Sequence, residues 1–78
     1  MDIKILGKGC PRCHRLEQLT REVAAELGID ATFDHVTDVN EIVTWGVMGT
    51  PALVVDGKVK VSGRVPAKSE IAGWLAAK

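Results

Sequence analysis

Both cysteines of the chain lie in one short segment, GKGCPRCHRL, as Cys10 and Cys13 with His14 directly after them. Two cysteines separated by two residues can form a reversible disulfide or supply half of a zinc site, and with a following histidine they can also hold a haem covalently. A disulfide across so small a loop restrains the unfolded chain little, so stabilising the fold is not its main task. The surrounding sequence has to decide between these kinds of site.

The cysteine motif falls between a predicted strand and a predicted helix. Ile3, Ile5 and Leu6 predict a buried strand near residues 2–6 that ends at Gly7. Pro11 suits the first position of a helix, where its missing N–H costs nothing. The apolar stripe of this helix recurs at steps of three and four residues and is expected in the core: Leu16, Leu19, Val23 and Leu27. Cys13 continues this stripe toward the N-terminus and is expected to be partly buried.

The start of a helix favours a thiolate, because unpaired N–H groups and the positive end of the dipole stabilise negative charge there. Four nearby side chains add positive charge: Lys8, Arg12, His14 and Arg15. These effects lower a cysteine pKa, in known cases to about 3.5–7.5, and the thiolate is the species that attacks a disulfide. We therefore expect Cys10, nearer the turn, to be the exposed nucleophile and Cys13, on the apolar stripe, to resolve the mixed disulfide.

The rest of the chain predicts alternating strands and helices. In order these are a strand near 30–36, a short helix near 39–45 after the capping pair Asp38 and Glu41, a strand at 52–55, an Asp56–Gly57 hairpin turn, a return strand in which Val59 and Val61 alternate with lysines, and a last helix after Pro66. The order βαβαββα predicts an α/β fold in which a right-handed crossover joins two parallel strands. The hairpin adds antiparallel strands, so the sheet is mixed, with helices on its faces. We expect residues 1–78 to form a single domain.

Composition argues against several classes of partner. Ten basic and ten acidic residues give a formal net charge of zero, whereas nucleic acids and acidic membranes select proteins with a basic surplus. No apolar run approaches the ~20 residues of a membrane span, and the apolar part of the first residues is too short for a signal peptide. We expect a cytoplasmic protein with no nucleic-acid and no membrane partner.

CPRC at a strand–helix junction, followed later by GTPALVVDG and a short hairpin, resembles the thioredoxin–glutaredoxin superfamily. The resemblance covers nearly the whole chain and is closest to the small single-domain members of archaea and bacteria. It implies a thioredoxin-like fold with a four-stranded sheet of order 2-1-3-4, strand 3 being antiparallel. It also implies a redox-active Cys10–Cys13 disulfide, with Cys10 as nucleophile and Cys13 as resolving thiol, and a cis Pro51 that faces the cysteines.

The resemblance further implies a dithiol–disulfide oxidoreductase that serves electron transport and cell redox homeostasis. Such an enzyme needs no bound cofactor, only an external reductant. The expected partners are disulfide-containing protein substrates and a thioredoxin-reductase-like or other electron donor, and the expected state is a monomer. Site residues fall in two groups, a supporting group of Lys8, Pro11, Arg12 and His14 and a substrate-binding edge of Met48, Gly49, Thr50 and Pro51.

The chain departs from the family pattern at three places. Gly9 stands where thioredoxins carry a tryptophan before the motif, and Lys4 stands where they carry a buried acid. Proton transfer to and from Cys13 must therefore use another group, such as Glu17, water or His14. The segment SGRVP at 62–66 lacks the aspartate of glutaredoxin glutathione sites.

Three other functions compete with disulfide exchange. Haem attachment would use His14 and Met48 as axial ligands, but a strand-rich domain leaves little room for a haem pocket. A structural zinc site needs about four ligands, and the chain has no second C-x-x-C, while His35 lies on another element. An iron–sulfur cluster shared between two chains is a minor option. A non-catalytic thioredoxin-fold module that binds peptides along residues 48–51 is the last alternative, and the intact cysteines argue against it.

Overall fold

A computed structural model describes residues 1–9, 11–47 and 49–76. The elements in chain order are β1 (Asp2–Leu6), α1 (Pro11–Glu26), β2 (Thr32–Val36), α2 (Val39–Thr44), β3 (Ala52–Val55), β4 (Lys58–Ser62) and α3 (Lys68–Ala76). The sheet has the order β2-β1-β3-β4, in which β1 pairs parallel to β2 and antiparallel to β3, and β3 pairs antiparallel to β4. This confirms the α/β fold, the mixed sheet and its order. Across the described ranges, no helix combines the length and apolarity that a membrane span requires.

The larger core lies between the sheet and the helices α1 and α3. Ile3 and Leu53 from the sheet are fully buried against Leu16 of α1 and Ile71 of α3. Burying an aliphatic side chain of this size contributes about 1.5–3 kcal/mol relative to leaving it exposed. This core therefore holds α1 firmly against the sheet and fixes where its first turn lies.

A smaller core covers part of the opposite face of the sheet. Leu6, Ala52 and Val54 are buried there under Ile42 of α2, and the half-buried Trp45 packs against the same cluster. Leu6 is the last residue of β1 and Ala52 the first of β3, so α2 covers the end of the sheet where these two strands meet. With only six residues, α2 covers no more than a part of this face. That end of the sheet is thus closed on both faces.

One residue of the predicted α1 stripe is misplaced. Leu27 is 44% exposed rather than buried, because the helix ends one residue earlier. Gly28 takes a φ of +68° and donates to the Ala25 carbonyl (3.2 Å), and the Ile29 N–H donates to the Ala24 carbonyl (2.9 Å). These two bonds form a Schellman motif, which turns Leu27 outward and brings Ile29 against the core in its place.

The hairpin is confirmed, but the predicted alternation in its return strand is wrong. Asp56 and Gly57 have φ values of +49° and +81°, which suit the two-residue turn that matches strand twist. A bulge pairs Leu53 with Val61 and the next residue of β3 with Val59, so the two valines do not share a face. Val61 is buried, whereas Val59 is 38% exposed.

The carboxylate of Glu70 caps the start of α3. Both oxygens of Glu70 accept from the Arg64 guanidinium (3.1 and 2.7 Å), and one also accepts from the Ala67 N–H (3.3 Å). The hydrogen bond from the Ala67 N–H is half of a capping box, in which a carboxylate on the first turn accepts from the backbone before the helix. The hydrogen bond from Arg64 first, and then the one from Ala67, hold the pKa of Glu70 below its ordinary value.

A lowered pKa in the folded state makes the Glu70 contribution depend on pH. The stabilisation that Glu70 provides is fully present above the pKa that this residue has in the unfolded chain. It is lost as pH falls through the lower pKa of Glu70 in the folded protein. We expect Glu70→Gln to lower the free energy of unfolding at neutral pH. In acid the variant should match the wild type, because the side chain at position 70 is then neutral in both proteins. Urea unfolding across this range measures the difference. Glu41→Gln on the first turn of α2 is the matched control, and an equal pH dependence in both variants would contradict this role of Glu70.

Candidate active site at the carboxyl end of the first strand

The chain before α1 lies at one edge of the sheet. The Gly7 N–H donates to the Val36 carbonyl (2.9 Å), which extends the pairing of β1 and β2 by one residue beyond β1. Because β3 runs antiparallel to β1, its first residue, Ala52, pairs with Leu6 at the same edge. In open α/β sheets ligands bind at the carboxyl ends of the parallel strands. The segment around residue 50 is thus brought to the start of α1.

Cys13 is completely buried, whereas its place on the apolar stripe predicts only partial burial. A Cβ built on Gly7 would overlap the Cys13 sulfur and lie 3.3 Å from the Cys13 Cβ and 3.8 Å from the Thr50 Cβ. The space beside Gly7 is therefore filled by the sulfur, and Thr50 lies on the same side. The sequence marks Gly7 only as the end of a strand. Nothing in it distinguishes Gly7 from Gly9, where an added Cβ would meet no atom within 4 Å.

The segment at residues 49–51 is attached to the chain that follows β4. The Thr50–Pro51 peptide bond is cis, the isomer that the family resemblance implies, and Pro51 is buried. The Gly63 N–H donates to the Pro51 carbonyl (2.9 Å), and a Cβ on Gly49 would lie 3.2 Å from the Gly63 Cα. Gly63 was not predicted as a site residue. Its only signal in the sequence is a glycine directly after the last strand.

The predicted site residues are placed only in part. Cys10 and Met48 lie outside the described residues, so the exposed nucleophile, the Cys10–Cys13 disulfide, and the contact of Pro51 with both sulfurs stay predictions. The supporting residues are exposed around the start of α1: Lys8, Pro11, Arg12 and His14.

A polar face of α1 packs on the edge strand β2. The His14 ring meets the His35 ring edge-on with centroids 6.1 Å apart, and His35 Nδ1 lies 3.5 Å from Glu17 Oε1. Arg21 Nε donates to the other Glu17 oxygen (2.9 Å) and lies over the Phe33 ring. Helix steps of three and four on α1 meet alternate residues of β2, and the contact of His14 with His35 depends on how α1 packs on the sheet. Within the described ranges, no group of three or more His, Cys, Asp or Glu side chains is arranged to hold a metal ion.

Lys4, at the position of the family's buried acid, is engaged in ion pairs. Its Nζ donates to Asp34 Oδ2 (3.3 Å) and lies 3.5 Å from Asp2 Oδ2. The hydrogen bond to Asp34 is the main cause that raises the pKa of Lys4 above its ordinary value. The side chain thus stays cationic and links β1 to β2. Glu17, one candidate for the Cys13 proton, has its oxygens on Arg21 and His35, and its role stays a prediction.

The overlap at Gly7 gives a sharp test of the close approach. We expect Gly7→Ala to lower the free energy of unfolding by about 1–3 kcal/mol, as overpacking does, in urea titrations of the reduced protein. Gly73→Ala, the same change in open space on α3, is the control and should stabilise by up to about 1 kcal/mol. In a Cys13→Ala background most of the Gly7→Ala cost should disappear. An undiminished cost there would show that the sulfur does not cause it.

Comparison with known proteins agrees with this geometry. The family model described as thioredoxin domain matches residues 1–76. A thioredoxin of Methanothermobacter thermautotrophicus is 45% identical over 71 residues, which cover 91% of this chain and 92% of that protein. A thioredoxin of Methanocaldococcus jannaschii is 42% identical over 69 residues, covering 88% and 79%. With the α/β fold described above, these matches show that the chain belongs to the thioredoxin family and is a redox protein of that family.

Proposed function

We propose that the chain is a thiol–disulfide oxidoreductase that works through Cys10 and Cys13. The observation that carries the proposal is the complete burial of Cys13 on the first turn of α1, behind Gly7 and beside Thr50. A buried thiol three residues after the proposed nucleophile suits a two-step exchange, in which Cys10 meets the substrate first and Cys13 reacts second. Disulfide exchange, unlike zinc or haem binding, needs no ligand beyond the two cysteines.

In the proposed cycle the Cys10 thiolate attacks one sulfur of a substrate disulfide. The substrate S–S bond breaks, one substrate thiolate leaves and takes a proton, and a Cys10–substrate disulfide forms. The Cys13 thiolate then attacks the Cys10 sulfur, the mixed disulfide breaks, and the second substrate thiol leaves. The substrate has gained two electrons and the protein holds a Cys10–Cys13 disulfide. A dithiol donor, thioredoxin-reductase-like or another, returns the two electrons.

Residues 48–51 form the proposed substrate edge. Gly49 packs closely on Gly63, and the Pro51 carbonyl already accepts from Gly63, so the backbone of Pro51 is occupied. Thr50 between them is exposed, and its Cβ lies 3.8 Å from the place of a Cβ built on Gly7, which the Cys13 sulfur occupies. An extended substrate can add to a free backbone edge by strand-like pairing. Thr50 is therefore the proposed partner of the residue next to the attacked cysteine.

The sequence features favour a thioredoxin-like over a glutathione-dependent enzyme. The segment at 62–66 lacks the acid of glutathione sites, and its Arg64 is held by Glu70. We place the protein in the cytoplasm as a monomeric single domain that reduces disulfide-containing proteins. The alternative function is that of a non-catalytic module that binds peptides along residues 48–51. Retention of both cysteines argues against it.

The proposed function is tested by reduction of a disulfide-bonded peptide with dithiothreitol as electron donor. Wild-type protein should accelerate the reduction, and Cys10→Ser should abolish the acceleration. In a separate incubation without dithiothreitol, reduced Cys13→Ser should accumulate a covalent adduct with the peptide, visible by mass spectrometry, because no second thiol is present to cleave the mixed disulfide. A wild-type protein that binds the peptide without reducing it would support the non-catalytic module instead.

The roles of the two cysteines are tested by alkylation of the reduced protein. Limiting iodoacetamide at neutral pH should label Cys10 well ahead of Cys13, because Cys13 is completely buried and the helix start favours a thiolate at Cys10. Peptide mapping by mass spectrometry gives the ratio, and unfolding in urea, which should equalise the two rates, is the control. Preferential labelling of Cys13 in the folded protein would reverse the role assignment.

A further inference from the structure

Three exposed basic side chains surround the start of α1, and we call Lys8, Arg12 and Arg15 the cationic rim. Arg12 and Arg15 are three residues apart on α1, so their side chains are neighbours on the helix surface. Lys8 lies in the loop that leads into the same helix. Arg12 directly precedes the buried Cys13 in the chain, so the rim lies at the same first turn of α1 that carries this cysteine.

The rim has no acidic partner among residues 1–9, 11–47 and 49–76. The helix positions three and four residues after Arg12 and Arg15, where carboxylates would form pairs, hold Arg15 itself and Leu16, Gln18 and Leu19. Elsewhere in these ranges, four basic side chains form ion pairs: Lys4, Arg21, Arg64 and Lys68. Among the described residues, the lysine and arginine side chains without an ion pair are therefore the three of the rim and the two lysines of β4, Lys58 and Lys60.

The two acids that follow β2 form no ion pair with the rim. Asp38 and Glu41 open α2, the Asp38 carboxylate accepts from the Asn40 N–H (2.8 Å), and neither acid lies within ion-pair distance of a described rim residue. Since the chain as a whole has a formal net charge of zero, the rim is a local feature rather than a consequence of composition. Uncompensated charge beside a site steers partners of the opposite sign toward it.

We propose that the cationic rim selects substrates whose disulfide is flanked by aspartate or glutamate. The inference rests on the proposed function, because a substrate sulfur that meets Cys10 brings its neighbouring residues over the start of α1. Acidic neighbours then face Lys8, Arg12 and Arg15, whereas basic neighbours are repelled. The rim therefore acts in docking as well as in favouring the thiolate.

The test compares three oxidised probes under one donor. Two are peptides of equal length and one intramolecular disulfide, with aspartates or lysines beside both cysteines, and the third is the neutral bis(2-hydroxyethyl) disulfide. At low ionic strength we expect kcat/KM for the acidic peptide to exceed that for the basic one by about tenfold, within the range of electrostatic steering. At about 0.5 M salt, where screening acts over a few ångströms, the ratio should approach one.

Matched variants separate docking from thiolate chemistry. Arg12→Gln/Arg15→Gln and Lys58→Gln/Lys60→Gln, the second pair on β4, remove the same charge. The rim variant should lose most of the acidic preference, while the β4 variant keeps it, and the neutral disulfide reports any change in thiolate reactivity common to all probes. Equal rates for both peptides, or an equal loss of preference in both variants, would overturn the proposal. Reduction of none of the probes would instead refute the proposed function, and the docking proposal with it.

Discussion

The contact between the Gly7 backbone and the Cys13 sulfur is the constraint on which the site depends. No Cβ fits at Gly7, because the sulfur occupies that space. The first turn of α1 therefore lies directly on the end of β1, and the large core beneath α1 holds it there. Interiors packed to this density do not yield to an added methyl group without cost. The burial of Cys13 is thus a consequence of how closely this helix approaches the strand.

A second close approach brings a distant part of the chain to the same place. Gly49 packs on Gly63, and Gly63 donates to the Pro51 carbonyl. The strand order puts β3 beside β1 and β4 beside β3, so the end of β1, the start of β3 and the end of β4 meet at one edge. The position of Thr50 relative to Cys13 is therefore set by the sheet rather than by the loop that carries Thr50.

Charge is arranged differently at the site and away from it. Lys4 and Arg64 each hold carboxylates and connect elements of the fold. Exposed pairs of this kind contribute little stability each, but they leave no charge free to act on a partner. At the start of α1 the described basic side chains have no such pairs, and the field of the helix adds to theirs. The site thus joins a buried sulfur to an electropositive surface.

The sequence by itself determined the order and type of the elements, the mixed sheet, the place of the cysteine motif and the inward position of Cys13, although not the full extent of its burial. These follow from local rules, namely apolar periodicity, Pro11 at a helix start and the Asp56–Gly57 turn. Leu27, Val59 and His35 were decided only by tertiary structure. A Schellman motif exposes Leu27, and a bulge turns Val59 outward. Packing of α1 on β2 brings His35 to His14. The role of Gly7 was also decided by tertiary structure. The absence of a Cβ at this residue matters only because the fold brings the Cys13 sulfur beside it.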